Sequence, residues 1–350
     1  MKSDTQGSQQ SLHPTPSLTM IHASDTDFLA QWDAAQESLL GSTIFYSSAF
    51  LQYDQLLFGK FMIDNDSFIL KQNNVVMAIV PLYIFENQGE LTYSYNQDHL
   101  RAPIFKSMPG TRDFKNTLKI VLETIETLAR RRRIKKHLVM IEPVEILEGR
   151  CFYNYFLGYG YQDEPAVGNV IDCRMDQEKL RSSLRKSYKF LIAKEAKAHQ
   201  VQCITSANFS QDLCEEYRRL HFLAAGRETR PRETFFAMYD MIKQNKAFLI
   251  LVFNQLRQAV GACYFLKNGI YGYYGSAAVD PSLPVQSGVG HLALWEGIRQ
   301  AKASGCAFLD LGELLVRPDV TDKEKNIDLF KQGFGGHRVI IFRAAKTFHD

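Results

Sequence analysis

A chain of 350 residues with a net charge of only +3 can form two domains, and its near neutrality excludes nucleic-acid binding over the whole surface. Hydrophobic residues make up 45% of the chain and charged residues 23%, proportions that exclude a disordered protein. The six cysteines include no Cys-x-x-Cys pair, which indicates reduced cytoplasmic thiols rather than disulfides or a metal site.

The chain begins with a polar segment, residues 1–17, which is predicted to be a flexible tail because it lacks the apolar core of a signal peptide. The longest apolar runs downstream, residues 75–85 and 247–253, are too short to cross a membrane. We therefore expect a cytoplasmic protein without a transmembrane segment. Peripheral contact with the inner membrane face stays open.

Two stretches of the chain repeat one order of predicted elements. A β-hairpin at residues 68–83 is followed by an aromatic strand, a proline-containing loop, a helix with apolar spacing near 3.6, and a strand. A second hairpin at 248–266 begins the same series. The repeat predicts an α/β (α+β) protein with two similar domains, residues 18–172 and 173–350. A chance similarity of two α/β segments is the alternative.

A basic helix is predicted over residues 177–199, where the second half begins. Arg181, Arg185 and Lys189 follow at four-residue spacing on one face, and an apolar stripe occupies another. Such a face is either simply solvated or binds the phosphates of a nucleotide or tRNA. In the second interpretation Arg185, Lys186 and Lys189 are the candidate binding residues.

A glycine-containing loop, residues 286–290, precedes the predicted helix of the second half. Free backbone N–H groups at a helix start attract anions, so Gln286, Gly288 and Gly290 are candidate ligands for a phosphate. His291 follows them and is either a base or a structural hydrogen-bonding residue. The same glycines fit a dinucleotide fingerprint, but two prolines separate them from the preceding strand, which disfavours a Rossmann domain.

Three motifs of the second half follow in a distinctive order. They are H-L-A-L-W-E-G-I-R-Q-A-K-A-S-G at 291–305, F-L-D-L-G at 308–312 and F-K-Q-G-F-G-G at 330–336. Together with the basic helix, they resemble the Fem-type aminoacyltransferases and the related GNAT-like (BioF2-like) envelope N-acyltransferases. The matching region covers about half of the chain, residues 180–342. The resemblance implies two tandem GNAT-like domains that bind an acceptor between them and transfer an acyl group to an amine.

The resemblance also implies the substrates. The donor would be an aminoacyl-tRNA or an acyl-CoA, with no tightly bound cofactor and no metal. The acceptor would be a nucleotide- or lipid-linked muropeptide or amino-sugar conjugate, which places the protein in peptidoglycan and cell-wall biogenesis. Val285 stands where GNAT enzymes have the polar residue of their coenzyme A loop, and no long coiled-coil arm for tRNA is visible.

The family's catalytic phenylalanine-lysine pair falls on Phe330 and Lys331. A lysine ammonium there can stabilise the oxyanion that develops on an attacked ester or thioester. Asp310 matches the family's aspartate-containing strand and either orients a substrate or holds the following loop. Tyr273 and Tyr274 lie on the preceding aromatic strand, where they either contact a substrate or belong to the core.

Other functions stay open at this stage. The leading alternatives are an acyl-CoA-dependent N-acetyltransferase of a small molecule and a non-catalytic binding module on a duplicated GNAT fold. A nucleic-acid binder could use the basic clusters at 130–136 and 174–199. The chain has no H-E-x-x-H, G-x-S-x-G or Walker motif, which disfavours a metalloenzyme, a hydrolase of that type or an NTPase.

Overall fold

The computed structural model describes residues 17–284, 286–317 and 319–349, so nearly all of the predicted tail lies outside the described residues. The described α-helices are Phe28–Glu37 (α1), Ser48–Phe58 (α2), Arg112–Arg132 (α3), Pro143–Leu147 (α4), Gln177–Ser183 (α5), Lys186–Ala198 (α6), Gln211–Ala225 (α7), Arg232–Lys243 (α8), Val289–Ala303 (α9) and Asp322–Gln332 (α10).

The described strands alternate with these helices in both halves. They are Leu18–His22 (β1), Met62–Asn65 (β2), Phe68–Gln72 (β3), Val75–Val80 (β4), Tyr83–Asn87 (β5), Glu90–Tyr93 (β6), Leu100–Arg101 (β7), Ile104–Phe105 (β8), Lys136–Met140 (β9), Gln162–Asp163 (β10), Ala166–Asp172 (β11), Gln200–Ile204 (β12), Ala247–Phe253 (β13), Ala259–Asn268 (β14), Tyr271–Val279 (β15), Phe308–Leu314 (β16), His337–Ile341 (β17) and Arg343–Thr347 (β18).

The strands form two large mixed sheets and one small sheet. The first large sheet has the order β10-β18-β9-β6-β5-β2, with β7 also paired to β9, and the second has the order β12-β13-β14-β15-β16-β11-β17. The small sheet is β1-β3-β4-β8. Both large sheets contain parallel strands: β6 and β7 pair with β9 in the first, and β15 pairs with β16 in the second. A helix, α3 or α9, connects the two strands of each pair.

The predicted duplication is therefore confirmed at the level of architecture. Both predicted hairpins form, as β3–β4 and as β13–β14. The halves differ where Pro81 and Leu82 interrupt the first one: β4 stays in the small sheet, and β5 continues in the large sheet. The corresponding strand of the second half, β14, runs for ten residues without a break.

Two strands cross the division predicted between residues 172 and 173. Strand β11 precedes that division, yet it lies in the second sheet between β16 and β17. Strand β18, near the C-terminus, lies in the first sheet between β9 and β10. Each half thus contributes one strand to the large sheet of the other half. The division into domains 18–172 and 173–350 stays a prediction, and it does not separate the strands of the two large sheets.

The predicted basic helix over 177–199 is wrong in one respect, because it is broken into α5 and α6. Leu184 and Arg185 have extended backbone, with ψ of 140° at both, and the Leu184 side chain is buried in the core. The Arg185 N–H donates to the Gly333 carbonyl at 2.9 Å instead of continuing the helix. Arg181 and Lys189 consequently lie on different helices.

Candidate active site

A cleft opens where the parallel strands β15 and β16 separate. They are paired from Tyr271–Phe308 to Tyr273–Asp310 and diverge beyond that point. The cleft has a volume of about 400 Å³. Its lining residues are Tyr273, Tyr274, Gly275, Ser276, Ala277, Leu311, Gly312, Glu313, Leu315, Glu324, Ile327, Asp328 and Lys331.

A backbone bulge on each strand accounts for this separation. Strand β15 has one extra residue at Gly275, where its pairing with β14 shifts register. Strand β16 has one at Leu311 and Gly312, opposite the single residue Asn169 of β11. Gly312 has a φ of +84°, which other residues rarely adopt, and its N–H donates to Asp310 Oδ1 at 2.6 Å.

In the first half, the corresponding gap is closed. Strands β6 and β9 pair in parallel only at Thr92–Lys136 and Tyr93–His137. The chain then loops out and returns as β7, which pairs with β9 at Val139 and Met140. This extra strand occupies the position at which β15 and β16 leave a cleft, so the GNAT-type cleft described here belongs to the second half.

Lys331 lies at the C-terminal end of α10 and extends into the cleft. Its ammonium donates to the backbone carbonyl of Glu313 at 2.8 Å, and a Cβ atom placed on Gly312 would lie 3.4 Å from the Lys331 nitrogen. Burial lowers the pKa of Lys331, and the negative charges of Asp328, Asp310 and Glu313 oppose that shift. The cleft thus presents a partly desolvated cation.

Asn169, on β11, holds the backbone of this lysine. Its side-chain amide donates to the carbonyls of Lys331 and Gly335, both at 3.2 Å, and the residue is buried. The end of α10 is therefore fixed by a strand that precedes it by more than 160 residues. This residue was not among those predicted from the sequence, because a lone asparagine in a strand carries no signal of its distant partner.

Replacing Asn169 with leucine is expected to destabilise the protein by about 1–3 kcal/mol, because two carbonyls lose their hydrogen-bond donor. The displaced lysine should also lower kcat by about tenfold or more. Urea unfolding and steady-state kinetics measure the two effects. Asn169→Asp, which keeps the shape but removes the donors, should behave alike, and a fully active leucine variant would contradict this role.

Asp310 holds the floor of the cleft rather than lining it. The carboxylate accepts from the Tyr271 hydroxyl at 2.5 Å and from the Gly312 N–H, and burial raises its pKa. Tyr273 and Tyr274, the two tyrosines predicted to contact a substrate, both line the cleft. Burial raises the pKa of Tyr273 to about 12, so its hydroxyl is neutral.

The first half contributes an arginine behind this floor. Arg101 stacks 4.0 Å from the ring centre of Phe45, and that ring packs edge-on against Tyr273 at 5.1 Å. The Arg101 Nε atom lies 3.2 Å from Glu142 Oε1. Burial raises the pKa of Glu142 to about 7, although Arg101 opposes the shift. This ion pair lies within the first half, and the contact of the Phe45 and Tyr273 rings joins the two halves beside the cleft.

In the predicted anion-binding loop, a backbone N–H group already donates to a side chain of the protein. The Gly288 N–H donates to Glu195 Oε1 at 3.1 Å, and Glu195 is buried. A Cβ atom on Gly288 would lie 2.9 Å from both Glu195 Cγ and Leu191 Cβ, so α6 packs directly on the start of α9. Gln286 is exposed, and Gly290 packs near Val279.

His291 and Phe330 belong to an aromatic cluster on the α9 side of the sheet. The His291 ring lies 4.3 Å from the ring of Tyr188, 5.0 Å from Phe330 and 6.1 Å from Phe334. Burial and Arg185 lower the pKa of His291 to about 4. Phe330 therefore packs away from the cleft that its neighbour Lys331 lines, and its predicted catalytic role stays a prediction.

The three predicted phosphate-binding residues surround the start of α6, outside the cleft. The Arg185 guanidinium lies 5.3 Å from the ring centre of Tyr188, and the Lys189 ammonium donates to the Ser182 carbonyl at 2.8 Å. Lys186 is exposed. The structure places these side chains near one another, but their role in binding stays a prediction.

Among the residues that the structure describes, no helix is long and apolar enough to cross a membrane. No group of three or more His, Cys, Asp or Glu residues in the same part of the chain could hold a metal ion.

The comparisons with known proteins agree with this geometry. A family model for an acetyltransferase (GNAT) domain matches residues 178–317. The structure of FemX is similar with a TM-score of 0.64 and 10% identity, over 93% of this chain and 96% of that one. The structure of L-PGS from Bacillus licheniformis is similar with a TM-score of 0.59 and 10% identity, over 92% of each chain.

A conserved protein of unknown function from Bacteroides thetaiotaomicron is also similar, with a TM-score of 0.59 and 11% identity over 93% of this chain and 99% of that one. No curated protein matches this chain. The predicted resemblance to Fem-type and GNAT-like proteins is confirmed, since residues 178–317 match the GNAT domain model and the whole chain is similar in fold to FemX.

Proposed function

We propose that this chain, whose second half is a GNAT acyltransferase domain, transfers an aminoacyl group onto an amine of a cell-envelope precursor. The observation that carries the proposal is the Lys331 ammonium, held in the cleft between β15 and β16 by the Glu313 carbonyl. The reaction is acyl transfer, with an aminoacyl-tRNA as the donor and a lipid-linked amine as the acceptor.

The chemistry requires little beyond positioning and one cation. The acceptor amine attacks the ester carbonyl of the donor, a C–N bond forms, and the carbonyl oxygen becomes an oxyanion. Collapse of this intermediate breaks the C–O bond and releases the donor hydroxyl, while the amine loses one proton. An ammonium has three N–H donors, so Lys331 can keep its bond to Glu313 and still donate to the oxyanion.

Glu195 favours an aminoacyl-tRNA over an acyl-CoA donor. GNAT enzymes hold the coenzyme A pyrophosphate at the helix start that corresponds to α9, but here the Glu195 carboxylate accepts the Gly288 N–H. A pyrophosphate at that position would be repelled by the buried carboxylate. The aromatic cluster of Tyr188, His291, Phe330 and Phe334 fills the adjoining space.

The charges of the cleft also favour an aminoacyl group over a neutral acyl group. Three carboxylate residues, Glu313, Glu324 and Asp328, line the cleft together with one cation, Lys331. Arg343 and Arg317 pair with Glu313 and Glu324, so an aminoacyl group or an acceptor amine brings a positive charge that Asp328 can accommodate. An acetyl group brings none.

A neighbouring groove suits a lipid-linked acceptor. It has a volume of about 760 Å³ and shares Leu315 and Asp328 with the cleft. Apolar residues such as Val316 and Ile340 are more than half exposed there, and Arg317 and Arg338 stand at its edge. An apolar groove with cations at its edge can hold a lipid-linked phosphate, which would place the protein in the cytoplasm at the inner membrane face.

Two experiments test the proposed function. Isothermal titration with a nucleotide-linked muropeptide and with coenzyme A compares the acceptor with the alternative donor. Mass spectrometry of envelope precursors from cells that lack the protein identifies the transferred group as a missing mass. Unchanged precursors, together with tight binding of coenzyme A alone, would leave the acyl-CoA-dependent acetyltransferase as the function.

Coenzyme A is expected to bind the wild-type protein with a Kd weaker than about 1 mM, because Glu195 occupies the helix start. The Glu195→Ala variant should bind inorganic pyrophosphate about tenfold more tightly than the wild type does, since a buried negative charge is removed. Glu296→Ala is the matched control, because Glu296 lies in the middle of α9, away from the helix start, and pairs with Arg299. Micromolar binding of coenzyme A to the wild type would contradict the donor assignment.

A further inference from the structure

Arg343 stands where the C-terminal strand enters the first sheet. It pairs with Met140 in the register of β18 and β9. Its carbonyl accepts from the Glu164 N–H at 3.1 Å and from the Asn154 side-chain amide at 2.9 Å. The backbone of Arg343 is thus held by three segments of the first half, although the residue follows the whole second half in the chain.

The Arg343 side chain reaches back to the active-site strand of the second half. Its guanidinium contacts both carboxylate oxygens of Glu313, with Nη1 at 3.2 Å from Oε1 and Nη2 against Oε2. The two side chains are only 14% and 29% exposed, so solvent screens this pair weakly. Asp98, from the first half, lies 3.8 Å from the same guanidinium.

Glu313 connects this ion pair to the catalytic cation. Its carboxylate binds Arg343, while its backbone carbonyl accepts the Lys331 ammonium at 2.8 Å. Glu313 directly follows the bulge at Gly312, where the strand leaves regular pairing. The direction of its carbonyl is therefore not set by the sheet alone, and the anchored side chain restricts it.

We propose that Arg343 is a positioning residue for Lys331: from the first sheet it fixes Glu313, whose carbonyl holds the Lys331 ammonium in the cleft. This inference rests on the proposed function, because it assigns Lys331 the catalytic role. It adds that the active site of the second half is completed by a strand anchored in the first half. The first half is then part of the catalytic apparatus.

The charges around Lys331 make the inference measurable. Strand β16 contributes Asp310 and Glu313, helix α10 contributes Asp328, strand β15 contributes the neutral Tyr273 hydroxyl, and Arg343 neutralises Glu313 from β18. Removing the negative charge of Glu313 should lower the pKa of Lys331. Removing Arg343 leaves Glu313 unneutralised and should raise the pKa of Lys331. These opposite shifts show that both charges act on Lys331, and an accompanying fall in kcat shows that they also position it.

The test is a titration of ¹³C-labelled lysine side chains by NMR, with the Lys331 signal assigned from the Lys331→Arg variant. Glu313→Gln is expected to move the titration midpoint of Lys331 down by a few tenths to about one pH unit, and Arg343→Gln to move it up by a similar amount. The double variant should return close to the wild-type midpoint. Arg299→Gln, an exposed arginine on α9, is the matched control and should have no effect.

Kinetics supply the second measurement. Arg343→Gln and Glu313→Gln should each lower kcat at least tenfold with little change in KM, and Arg343→Lys should recover part of the loss because it keeps the charge. Unmoved midpoints, or shifts in one direction for both variants, would overturn the inference. If Arg343→Gln does not fold, Arg343→Lys and Glu313→Gln still decide the question.

The failure of this inference can be distinguished from failure of the proposed function. If Lys331→Ala keeps full activity, the proposed role of Lys331 is wrong, whatever the titration shows. If Lys331→Ala is inactive but the Arg343 and Glu313 variants keep normal midpoints and normal kcat, only the positioning role is wrong. The titration itself needs no substrate, so it does not depend on identifying the donor or the acceptor.

Discussion

Replacing Lys331 with alanine is expected to lower kcat about 100- to 1000-fold and to leave KM nearly unchanged. The reason is that its ammonium is placed to interact with the oxyanion, which is present only during reaction. The Lys331 ammonium donates to the Glu313 carbonyl, and the backbone hydrogen bonds of the residue stay in the alanine variant, so the substitution should disturb the fold little. Steady-state kinetics with the acceptor identified by mass spectrometry, together with thermal unfolding, check both statements.

Lys325→Ala is the matched control, because Lys325 lies on the same helix and is exposed beside Asp322. It should keep kcat within about twofold, as expected for a surface ion pair. Equal activity of the Lys331→Ala variant and the wild type would remove the catalytic role. It would leave the non-catalytic binding module as the interpretation of the cleft.

The pH dependence has a definite sign. Catalysis requires the charged form of Lys331, and burial lowers the pKa of that lysine. Activity should therefore fall as the pH rises through this lowered pKa, at a lower pH than for an exposed lysine. Lys331→Arg should abolish this alkaline decline, because a guanidinium stays charged, although the altered reach will lower kcat.

The elements that the sequence predicted correctly depend on local patterns. The hairpins at β3–β4 and β13–β14 and the helix α9 follow from spacings of two and of about 3.6 residues, which act within a few residues. The break between α5 and α6 escaped prediction because Leu184 satisfies the apolar stripe of a continuous helix. Its extended backbone arises from packing and from the Gly333 carbonyl.

The parts of the site that could not be predicted are pairs distant in sequence. Glu195 and Gly288 are 93 residues apart, and Asn169 and Lys331 are 162 apart. Each residue alone is an ordinary glutamate, glycine, asparagine or lysine. Lys331 was identified through its motif, but its carbonyl ligand at Glu313 depends on a bulge that only the paired strands reveal. Likewise, no local sequence pattern predicts that β11 joins the second large sheet and β18 the first.

Replacing Arg101 with methionine is expected to destabilise the protein by about 3–5 kcal/mol at pH 8. Methionine keeps much of the packing against Phe45, but it leaves the buried Glu142 carboxylate without its cation. Urea unfolding of the variant and the wild type measures the difference. Arg174→Met is the surface control, because the Arg174 side chain that pairs with Asp172 is 63% exposed, and it should cost about 0–1 kcal/mol.

The sign of the pH dependence separates this mechanism from simple loss of packing. Folding raises the pKa of Glu142 from 4.5 to about 7, so the folded protein binds more protons there than the unfolded chain. The contribution of Glu142 to stability therefore falls as the pH rises through that window. Arg101 opposes the rise in the pKa of Glu142, so this pKa should be higher still in the Arg101→Met variant. The loss of unfolding free energy caused by Arg101→Met should therefore be smaller at pH 5.5 than at pH 8. Adding Glu142→Gln to the variant should recover most of the loss at pH 8, whereas an equal cost at both pH values would show that packing alone is responsible.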